Sequence, residues 1–318
     1  MKILIADSMH SSLFTMFEER GWTYSYQPEF KRQDIIDALP GYDGLVIRSK
    51  TFVDNELMEA GKQLKFIARA GAGLDLIDLD VAALRKIDVF HAGKGNRDAV
   101  AEHALGMLLA LFNNIIRADR QVRQGTWDRE GNRGVEIMEK TVGIIGYGNN
   151  GGATAKRLSG FGCKVLAYDK YRDNYSDAFA EEASIERIMQ EADILSLHIP
   201  LTSETKFLVN EDFIQGFTKP FYLLNLSRGE TAHLRAIADG LKSGKIKGAC
   251  LDVLENEKLK NLKPDQQEAF DYLCSVDNVV LTPHIGGWTH ESYYRINEVL
   301  VSQIERWLDV TSTISSVH

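Results

Sequence analysis

Short apolar runs recur along the chain at intervals that leave room for one helix between neighbours. Before residue 100 they are KILIAD, GLVIRS, LKFIARAG and IDVFHAG. Between residues 141 and 284 they are TVGIIGYG, CKVLAYD, ADILSLHI, FYLLNLS, IKGACLDV and NVVLTPH. Each is rich in Val, Ile or Leu, without the strict alternation of a strand wetted on one face. Such strands need cover on both faces, and crossover helices supply it in a parallel βαβ sheet. Two sheets of this kind fit a chain of 318 residues, which is longer than one core usually serves. The expected class is α/β, with two doubly wound parallel-sheet domains.

Between the two groups of runs lies NRDAVAEHALGMLLALFNNIIRADRQVRQG. Asn96 or Asp98 suits the cap of a helix expected to run to about Ala118. That helix is apolar on most sides through Leu111, so it should be buried, as a connector or a subunit contact would be. A last helical pattern, about Glu291 to Asp309, is expected to pack back on the first domain. The expected division is 1–96 with 290–318 for one domain and 97–289 for the other. The formal net charge of −8 disfavours nucleic acid or an anionic membrane surface as a partner. Cys163, Cys250 and Cys274 form no C-x-x-C pair and suit reduced thiols of a cytoplasmic protein. The start, MKILIADSMH, is too short an apolar run for a signal peptide, and no stretch reads as a membrane span.

The strongest local motif is TVGIIGYGNNGGATAKRL, with Gly146-x-Gly148-x-x-Gly151 between a strand and a helix. Gly146 suits a tight turn, and Gly148 lets a pyrophosphate approach the helix N-terminus. Gly151 suits close helix–strand packing. Asp169 ends the next strand, 21 residues after Gly148. A carboxylate there binds the adenosine ribose and repels a 2′-phosphate, so NAD is the expected cofactor. Lys170 and Arg172 lie close enough to Asp169 to leave NADP open.

Three more strands end on chemistry. NLSRGE puts Arg228 after one, where a guanidinium offers a fork to a carboxylate. GACLDVLENE puts Asp252, Glu255 and Glu257 after the second, and TPHIGG puts His284 after the third. Each has a plainer alternative: a helix-start arginine, a solvated acidic loop, a core histidine. A metal shared by His284 and His290 lacks a nearby third ligand, so no metal is expected. Ligands of open parallel sheets sit at the carboxyl ends of the strands. An arginine, an acid and a histidine delivered to one such rim therefore weigh more together than singly.

With these motifs the sequence resembles the D-isomer-specific 2-hydroxyacid dehydrogenases. From about Val46 to Thr289, RAGAGLDLID, VAEHALGMLLA, VGIIGYGNNGG, HIPLTSET, NLSRGE, LDVLENE and TPHIGG follow the family's order. The resemblance implies a Rossmann NAD-binding domain inserted in a flavodoxin-like substrate domain. It implies that Arg228 holds the substrate carboxylate and polarises the C2 oxygen. It makes His284 the carrier of the hydroxyl proton and Glu257 the acid that orients it. Glu257 matches rather than Glu255 because the family's acid lies five residues after the aspartate that matches Asp252. Lys258 stands where the family has proline, and the interval from there to His284 is long.

Besides the glycines, the implied cofactor contacts are Asn149 and Asn150 through their backbone, Asp169, His198, Pro200, Thr205, Leu226, Asp252 and Gly286. The implied substrate contacts are the amides of Ala72 and Gly73, with Asn96, Arg48, Arg69 and Arg129. These arginines match positions near the phosphate in members that act on D-3-phosphoglycerate, Arg129 reaching across a dimer. The implied reaction is therefore D-3-phosphoglycerate to 3-phosphohydroxypyruvate, in serine biosynthesis. Glyoxylate, hydroxypyruvate and D-lactate are alternatives within the family, and an NAD-binding co-repressor is the alternative outside catalysis. The partner expected is a small 2-hydroxy or 2-keto acid, within a homodimer formed through the helix after Asn96. No C-terminal regulatory domain is expected, because the chain ends soon after its last helix.

Overall fold

Each of the apolar runs contains a strand, and every strand pairing is parallel in the computed structural model, which describes residues 1–315. The chain forms two compact units, one of residues 1–97 with 288 onward, the other of residues 98–287.

The first unit holds β1 (Lys2–Ile5), α1 (Ser12–Glu19), β2 (Thr23–Tyr26), α2 (Arg32–Ala38), β3 (Gly44–Ile47), α3 (Asn55–Ala60), β4 (Phe66–Arg69), α4 (Leu79–Leu84) and β5 (Asp88–His91). Its sheet runs β2-β1-β3-β4-β5, a doubly wound order. Alternate residues of each strand face opposite sides. Leu4, Leu45 and Ile67 meet Ile35 of α2, Leu57 of α3 and Ala82 of α4. Ile3, Ile5, Val46 and Phe66 meet Leu13 and Phe17 of α1, with Leu300, Val301 and Ile304 of the last helix. That helix runs His290–Ser315 and packs on the first unit's own elements, as its sequence pattern suggests.

The second unit holds α5 (Arg97–Phe112), α6 (Ile115–Arg123), β6 (Thr141–Ile145), α7 (Asn149–Leu158), β7 (Lys164–Tyr168), β8 (Glu181–Glu182), α8 (Ile185–Glu191) and β9 (Ile194–Leu197). It continues through α9 (Glu211–Gln215), β10 (Phe221–Asn225), α10 (Leu234–Ser243), β11 (Ile246–Leu251), α11 (Pro264–Ser275) and β12 (Val279–Leu281). The last helix of the chain is then α12. The sheet runs β12-β11-β10-β9-β6-β7-β8, the Rossmann order extended by one strand. Its order reverses at β6, the strand that leads into the glycine motif. One face packs on α5 through Val100, Ala104, Met107, Leu108 and Leu111. The other packs on α8, α9, α10 and α11.

Three features differ from the sequence expectation. The helix after Asn96 does not run to Ala118: it stops at Phe112 and restarts at Ile115, bent by 59°. Asn114 occupies the left-handed region at φ 52°, which asparagine tolerates better than most residues, and so it ends α5. β2 and β8 carry no long apolar run. β2 is TYSY at a sheet edge and β8 is only two residues, so neither has the burial that writes a strand into sequence. Among the described residues no single helix is long and apolar enough to cross a membrane.

Candidate active site

The glycine turn follows β6. Gly146 adopts φ +94° and donates its N–H to the Tyr168 carbonyl at 2.8 Å, tying the turn to the end of β7. A Cβ on Gly151 would lie 2.0 Å from the Gly146 carbonyl oxygen, so α7 can pack this closely only with glycine there. A Cβ on Gly148 would meet nothing within 4 Å, which leaves open space over the turn. Asn149 and Asn150 begin α7, whose first N–H groups have no partner within the helix and attract an anion. Asp169 receives the Tyr147 N–H at 2.9 Å and the Tyr171 N–H at 3.0 Å. The Asn150 Oδ1 and His198 Nδ1 atoms are buried without a hydrogen-bond partner. Burial pushes the His198 imidazole down to about 4, so it is neutral at physiological pH. Its Nε2 meets Ser196 at 2.8 Å. Thr205 donates to the Pro200 carbonyl at 2.6 Å, which shapes the loop after β9. Open space over the turn, an anion-seeking helix end and orphaned polar atoms fit a dinucleotide.

Arg228, Glu257 and His284 all lie in the second unit, beyond the carboxyl ends of β10, β11 and β12. Arg228 is part-buried. Its carbonyl accepts from Thr231 at 2.6 Å and from Asn225 at 3.2 Å, so the turn that carries it is pinned to the strand. A Cβ on the next residue, Gly229, would lie 1.8 Å from the Leu254 carbonyl oxygen. The arginine turn therefore presses directly on the acidic loop after β11. In that loop Glu255 takes the Leu234 N–H at 2.9 Å and the Gln266 side chain at 2.7 Å. Glu255 thus anchors the loop, and Glu257 is the acid that meets His284, Oε1 to Nδ1, at 2.9 Å. The long interval after Lys258 contains a short 3-10 turn, Leu259–Asn261, and then α11. Leu254, Leu259, Phe270, Leu281 and Pro283 line an apolar cavity of about 360 Å³ beside the pair.

His284 has φ +55°, a left-handed conformation that needs external support. Asp252 supplies it. Its side chain is buried, and its Oδ1 accepts from the Thr282 hydroxyl at 2.6 Å and the Ile285 N–H at 2.9 Å. Its Oδ2 accepts from the Gly286 N–H at 2.8 Å, and its carbonyl from the His284 N–H at 2.7 Å. Burial pushes the Asp252 carboxyl up. Hydrogen bonds from His103, Thr282 and the Ile285 and Gly286 amides outweigh that, and it is held at about 2. Leu226, a cofactor contact by resemblance, is buried in the core and would lie 3.5 Å from a Cβ on Gly286.

The first unit holds its own candidates. Arg48 donates to the Tyr293 hydroxyl, and its guanidinium lies 4.5 Å from the Trp288 ring centre and 4.4 Å from that of Tyr293. Arg69 donates to the carbonyls of Arg48, at 3.0 Å, and of Gly73. Ala72 and Gly73 are part-exposed, and the Ala72 carbonyl meets His91 at 2.9 Å. Asn96 directly precedes α5 with its Oδ1 buried and unpartnered. Arg129, in the second unit, is exposed between α6 and β6.

Sequence reasoning passed over His103, whose Nε2 lies 3.1 Å from the Thr282 hydroxyl and 3.4 Å from Asp252. It also passed over Gln266, the anchor of Glu255. A histidine inside the apolar face of α5 was the available signal for the first. The second has none, since an ordinary helix glutamine becomes informative only once its partner is known. Among the described residues no group of three or more His, Cys, Asp or Glu side chains is placed to hold a metal ion.

Residues 105–286 match the model of the "D-isomer specific 2-hydroxyacid dehydrogenase, NAD binding domain". The chain belongs to the D-isomer-specific 2-hydroxyacid dehydrogenases. It is 38% identical over 280 residues to the hydroxypyruvate reductase of Thermotoga maritima, covering 88% of this chain and 89% of the relative. It is 33% identical over 306 residues to the D-3-phosphoglycerate dehydrogenase of Archaeoglobus fulgidus, covering 96% of this chain and 56% of the relative. This dehydrogenase thus spans little more than half the length of that relative. The D-lactate dehydrogenase of Aquifex aeolicus, crystallised with NAD and lactic acid, superposes with a TM-score of 0.83 at 25% identity, covering 97% of this chain and 96% of the other. The family makes the protein an NAD-dependent oxidoreductase of 2-hydroxy acids.

Proposed function

We propose that Arg228, Glu257 and His284 carry the reaction, a hydride transfer between C2 of a D-2-hydroxy acid and the nicotinamide of NAD. The observation that carries this reading is the His284–Glu257 pair at 2.9 Å, at the rim of the sheet whose β6 leads into the glycine turn. Bound NAD supplies the hydride acceptor or donor. Arg228 binds the substrate carboxylate and polarises the C2 oxygen. Glu257 holds Nδ1, so His284 exchanges the hydroxyl proton through Nε2, taking it in oxidation and returning it in reduction. Glu257 also keeps the imidazole in one tautomer and stabilises its protonated form. The amides of Ala72 and Gly73, with Asn96, serve the substrate.

Short unphosphorylated acids of the hydroxypyruvate and glyoxylate kind are the substrates this reading favours. Arg48 and Arg69, which the resemblance aims at a phosphate, are engaged by aromatic rings and by backbone carbonyls. The hydroxypyruvate reductase relative is also 38% identical, against 33% for the D-3-phosphoglycerate dehydrogenase. D-3-phosphoglycerate is the second reading, favoured by the D-3-phosphoglycerate dehydrogenase relative that matches 96% of this chain. A panel of hydroxypyruvate, glyoxylate, pyruvate and phosphohydroxypyruvate with NADH tests both. Higher kcat/KM on the unphosphorylated acids is expected, with Arg69→Ala lowering all four alike. A selective loss on phosphohydroxypyruvate would restore the phosphorylated substrate. No turnover with any of them would favour a co-repressor role. Ile115, Ile116, Val122, Trp127 and Met138 leave apolar surface exposed after α5, which supports a homodimer that sedimentation can test. The three unpaired thiols support a cytoplasmic location.

A further inference from the structure

β7 and β9 flank β6 on either side. The loops that follow them therefore border the glycine turn from opposite sides, and one side chain joins them. Glu204, in the loop after β9, receives Lys170 Nζ at 2.7 Å and the Tyr171 hydroxyl at 2.8 Å, both on Oε2. Lys170 and Tyr171 directly follow Asp169, the residue at the ribose position. Asp169 holds the near end of this clasp by accepting the Tyr171 N–H at 3.0 Å. Thr202 and Thr205 brace the far end, 3.1 Å apart. The other cation beside Asp169, Arg172, is committed elsewhere. It donates to the Tyr147 carbonyl and lies 5.6 Å from the Tyr175 ring centre.

A 2′-phosphate is doubly charged and needs a free cation at this position, whereas a 2′-hydroxyl needs an acceptor. Lys170 and Glu204 are about half exposed, and exposed ion pairs contribute little to stability. The consequence of the pair lies in the local charge. Glu204 supplies the counter-charge for Lys170, and Asp169 is a second carboxylate beside it. Without Glu204 the Lys170 ammonium loses that counter-charge, on a side chain long enough to reach a phosphate.

We propose that Glu204 is a specificity-determining residue that selects NAD over NADP, by holding Lys170 away from the 2′ position and adding a second carboxylate to the ribose rim. The inference rests on the NAD-binding assignment of the family and concerns which dinucleotide is chosen.

The test compares NADH and NADPH in the purified full chain, by fluorescence titration without substrate and by kcat/KM with the best keto acid. Wild type should bind NADH more tightly. Glu204→Gln should raise the NADPH-to-NADH preference ratio by about fivefold, and added salt should shrink that gain, as expected of an exposed charge contact. Adding Lys170→Ala to Glu204→Gln should remove the gain. A ratio that moves less than about twofold in Glu204→Gln overturns the proposal, as does a gain that survives Lys170→Ala. Wild-type protein that binds both cofactors equally overturns it as well. Because the titration needs no turnover, a failed dehydrogenase reading is distinguishable from a failed clasp.

Discussion

Asp252→Asn should loosen the histidine loop and lower the stability of the second unit together. The Asp252 side chain is 2% exposed, so solvent screens its interactions little. Lowering its carboxyl from the ordinary 3.8 to about 2 corresponds to ~2–3 kcal/mol, at about 1.4 kcal/mol for each tenfold change. Asparagine gives a similar figure by another route. It keeps one acceptor oxygen, so either the Gly286 N–H or the Ile285 N–H and Thr282 hydroxyl lose their partner. An unsatisfied buried donor costs roughly 1–3 kcal/mol. The sign follows from the depressed value: the contribution is complete above the unfolded 3.8 and is lost as pH falls through about 2. Urea unfolding followed by circular dichroism reads it, and added NADH marks the transition of the cofactor-binding unit, because a ligand stabilises what it binds. That transition should drop by ~2–3 kcal/mol at neutral pH, and the gap to wild type should narrow below about pH 4. Turnover should fall with it, since the same bonds support the φ +55° of His284. A gap under ~0.5 kcal/mol, the scale of a neutral surface change, would refute this account. So would a gap that stays constant from pH 5 to pH 3.

His284→Ala should cut turnover by roughly 10²–10⁴ while NADH still binds in a fluorescence titration; loss of cofactor binding would contradict its assignment. Glu257→Gln should lower kcat by roughly 10- to 100-fold, the usual effect of removing an orienting partner. Glu255→Gln should instead depress the thermal midpoint, because Glu255 ties Leu234 to Gln266, and exchanged effects would mean the wrong acid is assigned to His284. Gly229→Ala should destabilise by ~1–3 kcal/mol and reduce activity, because its Cβ would sit 1.8 Å from the Leu254 carbonyl oxygen; a melting curve like wild type would show that the two loops can separate freely.

The sheet, the glycine turn and the strand ends that carry Arg228, Glu257 and His284 are legible in the sequence because their physics is local. A strand covered on both faces must be apolar along its length, and so ten of the strands announce themselves. β2 and β8 lie outside the buried part of the pattern and do not. Gly151 faces the Gly146 carbonyl a few residues away along the chain, a contact that the spacing of the motif already contains. The bend at Asn114 is less visible, because both NN and the apolar run before it are compatible with a continuing helix.

What tertiary structure alone decides are the partners of charged side chains far apart in sequence. The resemblance points to Glu257 rather than Glu255, with Lys258 standing where the family has proline. The difference comes from Gln266 and the Leu234 amide, which engage Glu255 and leave Glu257 to His284. Asp252 is a cofactor contact by resemblance, and the fold adds that it is the buried acceptor around which residues 282–286 turn. Arg48 and Arg69 match substrate positions by resemblance, and the fold adds their partners, aromatic rings for Arg48 and backbone carbonyls for Arg69. Residue type sets what a side chain can do. Only the fold sets which partner meets it first, because hydrogen bonds and charges act over a few ångströms between groups the chain brings together from any distance.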